Sequence, residues 1–201
     1  MPWPPPWTQS RPQPERGASA LIGALEILGL AAANQLWTQL TVRFLGFEPP
    51  APPFSISPFS AAPPSEVVDA LLWLAFVPGV LEELFFRGVL FAALRSIGGP
   101  LVAVFGSALL FGAVHGGPQQ VLIATLLGLQ LGAIRETSGL PLAIAAHVFN
   151  NAIVLALVDH ASTHSLLPAG ISLDTGLLIA LGVCGSAWAA LWQSWHSPPP
   201  T

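Results

Sequence analysis

Three charged residues interrupt a largely apolar run in the middle of the chain. The run extends from Val67 to Leu94, and Glu82, Glu83 and Arg87 lie inside it. It is long enough to cross a bilayer, which takes ~20 apolar residues. One charge at the centre of such a span costs ~2.5–3.5 kcal/mol on insertion scales, so a mere anchor would not carry three. At ~100° per residue, Glu83 and Arg87 share a helix face and can pair, whereas Glu82 lies ~140° round from Arg87. Arg87 then neutralises Glu83, and Glu82 is left free to face something else. The bland alternative is an ion-pair network that only fixes helix packing.

Further polar groups share this need for an explanation. His115 follows Phe111 by four residues, and Asn151 follows His147 by four, so each pair points from one helix face. A single histidine in an apolar helix is more often a satisfied core residue than a catalyst. Two histidines, an unpaired glutamate and a face-sharing asparagine in one small membrane domain point instead to a wet cavity where each is satisfied. The set suits hydrolysis. Glu82 and His115 can take a proton from a water that attacks a carbonyl, and His147 and Asn151 can donate hydrogen bonds to the oxyanion. There is no Gly-x-Ser-x-Gly elbow, and no cysteine lies beside these histidines, so activated water is favoured over a nucleophilic side chain. The competing version is a catalytic zinc or another divalent metal held by Glu82, His115 and His147. The His-Glu-x-x-His spacing is absent, which ranks the metal-free version first.

The elements that must carry these residues follow from composition. The chain is 53% hydrophobic and 8% charged, far below the ~25% charged of soluble domains, which makes it an integral membrane protein with helical spans. It has six basic residues, all arginine, so no basic patch serves nucleic acid. Cys184 is the one cysteine, which excludes an intrachain disulfide.

The expected fold is all-α: a polytopic bundle of about six transmembrane helices. Residues 1–17 are a Pro-rich disordered tail, 18–196 a single membrane domain, and 197–201 a second tail. The first span covers 18–44 and holds Glu26 and Asn34, read as interhelical hydrogen-bonding groups. A Pro-rich loop covers 46–65. The second helix covers 65–97, with Ser65 as its cap and Pro78-Gly79 able to kink it just before Glu82. Gly98-Gly99-Pro100 makes a tight turn. The third helix covers 101–115 and ends at Gly116-Gly117-Pro118. In a hairpin of two straight helices, Glu82 and His115 are equally far from that first turn and so level in depth. The fourth helix covers 119–135, with Gly128 and Gly132 spaced for close helix approach. The fifth covers 140–158 and the sixth 173–195, with a polar loop at 159–172. Trp188, Trp192 and Trp195 suit an interfacial belt. Six spans place both termini on one side. The positive-inside rule makes it the cytoplasmic side, with Arg11, Arg16, Arg95 and Arg135 there.

Glu82-Glu83-x-x-x-Arg87, Phe111-x-x-x-His115 and His147-x-x-x-Asn151 resemble, complete and in order, the three signature motifs of the CPBP family. That family comprises the CAAX prenyl endopeptidases and the bacteriocin-processing, Abi-type proteins. The resemblance covers about residues 66–158. It implies a membrane-embedded endopeptidase in which Glu82 works with His115 on water, His147 and Asn151 form the oxyanion site, and Glu83 with Arg87 supports the motif helix. The implied partners are the lipid bilayer and a peptide or protein substrate, lipidated or membrane-bound. The alternative within the same family is a non-catalytic immunity or scaffold protein. A proton-coupled carrier would also use intramembrane Glu and His, but the chain shows no inverted repeat.

Overall fold

The computed structural model describes residues 62–161 and most of 27–47. The tails, Glu26, most of the Pro-rich loop, the sixth span, Cys184 and the three tryptophans of the expected belt lie outside the described residues. Within them the chain is helical, with no strand. Helix α1 is formed by helical residues between 27 and 45. A helical stretch Pro64–Ala113 follows, broken once at Gly99, where φ is 78° and ψ is −170°. Only glycine adopts such a backbone without strain. The break separates α2 (64–98) from α3 (100–113), where the Gly-Gly-Pro turn was expected. Then come α4 (Pro118–Thr137) and α5 (Leu140–Ala161).

Several boundaries differ from expectation by one to three residues. Ser65 is not the cap of α2: Pro64 opens the helix at its first turn and Pro63 precedes it in extended conformation. Proline suits that position because its missing N–H would be unpaired there anyway. Helix α3 ends at Ala113, two residues short of His115. The His115 amide turns back to the Gly112 carbonyl at 3.0 Å, and its ring Nδ1 meets the Phe111 carbonyl at 2.7 Å. Those bonds satisfy carbonyls that the helix end leaves open. Helix α5 continues to Ala161, so Asp159 and His160 begin no loop.

Helix α2 is not uniform. Its turns widen to π geometry at Leu71–Phe76 and again at Leu84–Leu90, with regular α-helix at Val77–Glu83 between them. The first wide turn has a cause in the sequence. Pro78 has no N–H and its ring needs room, and the Val77 amide reaches back five residues to Leu72. The second carries Arg87, and its loosened ladder leaves the Arg87 carbonyl to accept from Arg135 Nε at 3.0 Å. Such wide turns recur at functional sites.

Helix α2 runs antiparallel to α3 and α5, and α3 to α4, and glycines set the closest approaches. Gly112 lies against Thr125 and Val121, Gly128 against Ala108, and Gly132 against Val104, so α3 and α4 touch along their length. The Gly128–Gly132 pair thus packs on α3. Gly79 of α2 lies against Val148 of α5. Leu30, Phe86, Phe111, Leu127, Leu131 and Ala146, one or two from each helix, share one buried cluster. The outward faces are apolar too: Trp73 is 63% exposed, Phe85 57%, and Val89 and Leu109 are also exposed. Only 17% of the most apolar 18-residue window of Pro64–Ala113 is buried within the protein. Large apolar side chains directed outward suit lipid, not water.

Candidate active site

Arg87 forms the floor of the site. It is wholly buried, as is Glu83. Its Nη1 donates to Glu83 Oε1 at 2.7 Å, the four-residue pairing expected from the helix face. Its Nη2 donates to the Gly128 carbonyl at 3.0 Å, and its guanidinium lies 4.4 Å from the centroid of the Phe111 ring. Gly128 therefore does two things. Having no side chain, it lets α3 and Arg87 approach, and its carbonyl accepts a hydrogen bond from the guanidinium. A Cβ there would come within 3.2 Å of Arg87 Nη2.

His147 stands between the two glutamates. Its Nδ1 is 3.0 Å from Glu83 Oε1, the same oxygen that Arg87 holds. A carboxylate oxygen accepts, so Nδ1 carries the hydrogen and Nε2 is turned outward. Nε2 is 3.8 Å from Glu82 Oε2. The Glu82 side chain keeps 34% of its exposure and makes no ion pair with Arg87. One glutamate is thus locked into the core as the orienter of a histidine. The next, a residue earlier, is accessible beside that histidine's other nitrogen. The contact between Glu83 and His147 carried no signal in the sequence, because nothing in a helix pattern tells which helix lies alongside.

His115 reaches the site from the turn after α3 and is half-buried. Its Nδ1 donates to the Phe111 carbonyl, so in the neutral ring Nε2 is left as an acceptor. Among the described residues His115 makes no polar contact with Glu82, His147 or Asn151. The Phe111 ring joins the two histidines instead, with centroids 4.7 Å from His115 and 5.7 Å from His147. Asn151, half-buried one turn beyond His147, accepts at Oδ1 from Asn150 Nδ2 at 3.4 Å. Asn150 is in turn bonded to Asn34 of α1 at 3.0 Å, the interhelical use expected of Asn34.

Glu82, His115 and His147 are not gathered as a metal-binding trio. Among the described residues no three His, Cys, Asp or Glu side chains are placed to hold an ion. Both histidines commit Nδ1, to a carbonyl and to Glu83, which leaves Nε2 as the nitrogen each can offer a ligand.

The spacing of the acidic helix from His147 rests on Gly79. A Cβ at that position would lie 2.8 Å from Val148 Cγ2 and 3.1 Å from the Val148 backbone, next to His147. Gly79→Val is expected to destabilise the protein by ~1–3 kcal/mol through overpacking. It is also expected to cut turnover more than its loss of folded protein explains, because α5 must move and take His147 from Glu82. Turnover per folded molecule, with the folded fraction measured by size exclusion in detergent, checks this.

Comparison with known proteins agrees with the residues. Residues 64–153 match the family described as type II CAAX prenyl endopeptidase Rce1-like. No curated protein and no solved structure matches the chain. The matched segment runs from the first residue of α2 into α5 and contains all three motifs and the buried Arg87–Glu83–His147 group. Residues 64–153 are therefore an Rce1-like domain, similar over that segment to the type II CAAX prenyl endopeptidases.

Proposed function

We propose that this protein is a multi-pass intramembrane endopeptidase that hydrolyses a peptide bond with water activated by Glu82 and His115. The observation that carries this reading is the accessible Glu82 carboxylate, 3.8 Å from the outward nitrogen of His147 in an otherwise apolar helix. An ionisable group kept there without a salt-bridging arginine serves chemistry better than packing.

In the proposed reaction the water oxygen attacks the carbonyl carbon and its proton passes to Glu82. His115, with Nδ1 committed to Phe111, offers Nε2 as the partner base. The carbonyl oxygen takes up negative charge and accepts from the Asn151 amide and from His147, which donates from Nε2 as the imidazolium because Nδ1–H is already given to Glu83. Nε2 is the His147 atom available for this, since Glu83 holds Nδ1. The proton on Glu82 then goes to the leaving nitrogen, the C–N bond breaks, and acid and amine leave. Glu83 and Arg87 stay in the core and hold the geometry. Peptide segments that lie in or at the membrane, lipidated ones included, are the substrate class such a site can reach. Both termini face the cytoplasm on this reading, and no metal takes part.

The test is purified protein in detergent with a quenched-fluorophore peptide library. Wild type is expected to cleave a subset of peptides, and Glu82→Ala none. Equal background from both removes the peptidase reading. Turnover that survives exhaustive chelation supports the metal-free version, and loss restored by zinc overturns it.

A further inference from the structure

A chain of buried amides runs from α1 to Asn151. Asn34, outside the matched segment 64–153, is 8% exposed and donates through Nδ2 to Asn150 Oδ1 at 3.0 Å. Asn150, 2% exposed, donates through its own Nδ2 to Asn151 Oδ1 at 3.4 Å. Each amide gives its NH2 to the next carbonyl, so the chain has a direction. At its end the Asn151 carbonyl is occupied and its NH2 has no partner among the described residues. That is the orientation an oxyanion requires. An Asn151 free to rotate would at times present its carbonyl oxygen, which repels the developing charge. The start of the chain is telling as well. Asn34 Oδ1 is buried with no donor among the described residues, a poor arrangement if the residue only tied two helices together.

We infer that Asn34 is a positioning residue. Acting through Asn150, it holds the Asn151 side chain with its NH2 toward the oxyanion. This rests on the proposed role of Asn151. It also makes α1 part of the working site, although α1 lies outside the matched domain. The helix has a second tether, from Gln119 Nε2 to Thr41 Oγ1 at 3.3 Å, so loss of the Asn34 bond does not by itself release it.

The experiment uses full-length protein in detergent and a peptide it cleaves. Asn34→Leu is expected to lower kcat about tenfold, part of the loss that follows removal of one oxyanion donor, with KM unchanged. Asn150→Asp separates positioning from adhesion. Aspartate still accepts from Asn34, but it offers Asn151 an acceptor where a donor stood, and so turns the Asn151 NH2 away. It is expected to lower kcat at least as far as Asn34→Leu. If Asn34 merely glues helices, Asn150→Asp keeps full kcat. In an Asn151→Ala background, Asn34→Leu is expected to cost nothing further, and additive losses overturn the relay. That cycle decides alone if Asn150→Asp does not fold. An Asn151→Ala variant with full kcat defeats the oxyanion role itself, and protein that cleaves nothing defeats the peptidase reading. In either case side-chain amide NMR of 15N-asparagine-labelled protein still reads the relay. Asn34→Leu shifts the Asn151 amide signals if it exists, and unmoved signals overturn it.

Discussion

Replacing Glu82 by glutamine is expected to lower kcat/KM by about 10²–10⁴-fold, the range for losing a positioned general base, while leaving the protein folded. Glutamine keeps the shape of the side chain and removes its ability to take a proton. The fold has little at stake. The Glu82 side chain is a third exposed, and its nearest charged partner is His147 Nε2 at 3.8 Å, beyond hydrogen-bond length. Thermal unfolding in detergent should therefore shift by no more than an ordinary exposed substitution allows, within about 0.5 kcal/mol. The neighbouring Glu83→Gln should behave differently. It removes the negative charge that Arg87 and His147 share, and both stability and turnover should fall. A Glu82→Gln protein with wild-type kcat/KM would remove this carboxylate from the reaction.

Arg87→Ala is expected to cost about 3–5 kcal/mol, because it leaves a buried carboxylate without its cation. Glu83 is wholly buried, and its Oε2 already lacks a donor among the described residues. Arg87 also seals the contact among Phe111, Gly128 and the second wide turn of α2. The expectation is specific in its partner. Adding Glu83→Gln to Arg87→Ala should restore part of the lost stability, since the orphaned charge is gone, although His147 loses its anionic partner and activity does not return. Unfolding midpoints of the two single variants and the double variant measure this coupling. A single variant as stable as wild type would mean that the ion pair holds nothing together.

The helices were legible because apolar runs and their punctuation are local. Gly98-Gly99-Pro100, Gly116-Gly117-Pro118 and the Ser138-Gly139 stop each break the chain where the sequence says they must, with φ of 78°, 58° and 97° at Gly99, Gly117 and Gly139. The pairing of Glu83 with Arg87 was legible for the same reason: both partners lie on one helix. The form of α2 was less so. Equal depth of Glu82 and His115 follows only from two straight helices, whereas α2 contains two wide turns and α3 stops before His115. Pro78 signalled a disturbance, but its resolution as a π turn depends on what packs around it.

What the residues settled alone was the class of protein and its chemical inventory. Burial in lipid forbids idle charges, so each intramembrane Glu, His and Asn announced itself by cost and by spacing along its own helix. The three-dimensional packing decided which of them meet. It gave Glu83 to His147 as well as to Arg87, put the Phe111 ring between the histidines, and brought Asn34 of α1 to Asn150. Those partners are 64 and 116 residues apart for the two hydrogen bonds. Contacts at such separation leave no periodic mark in one sequence, because they depend on how helices are arranged side by side rather than on any single helix.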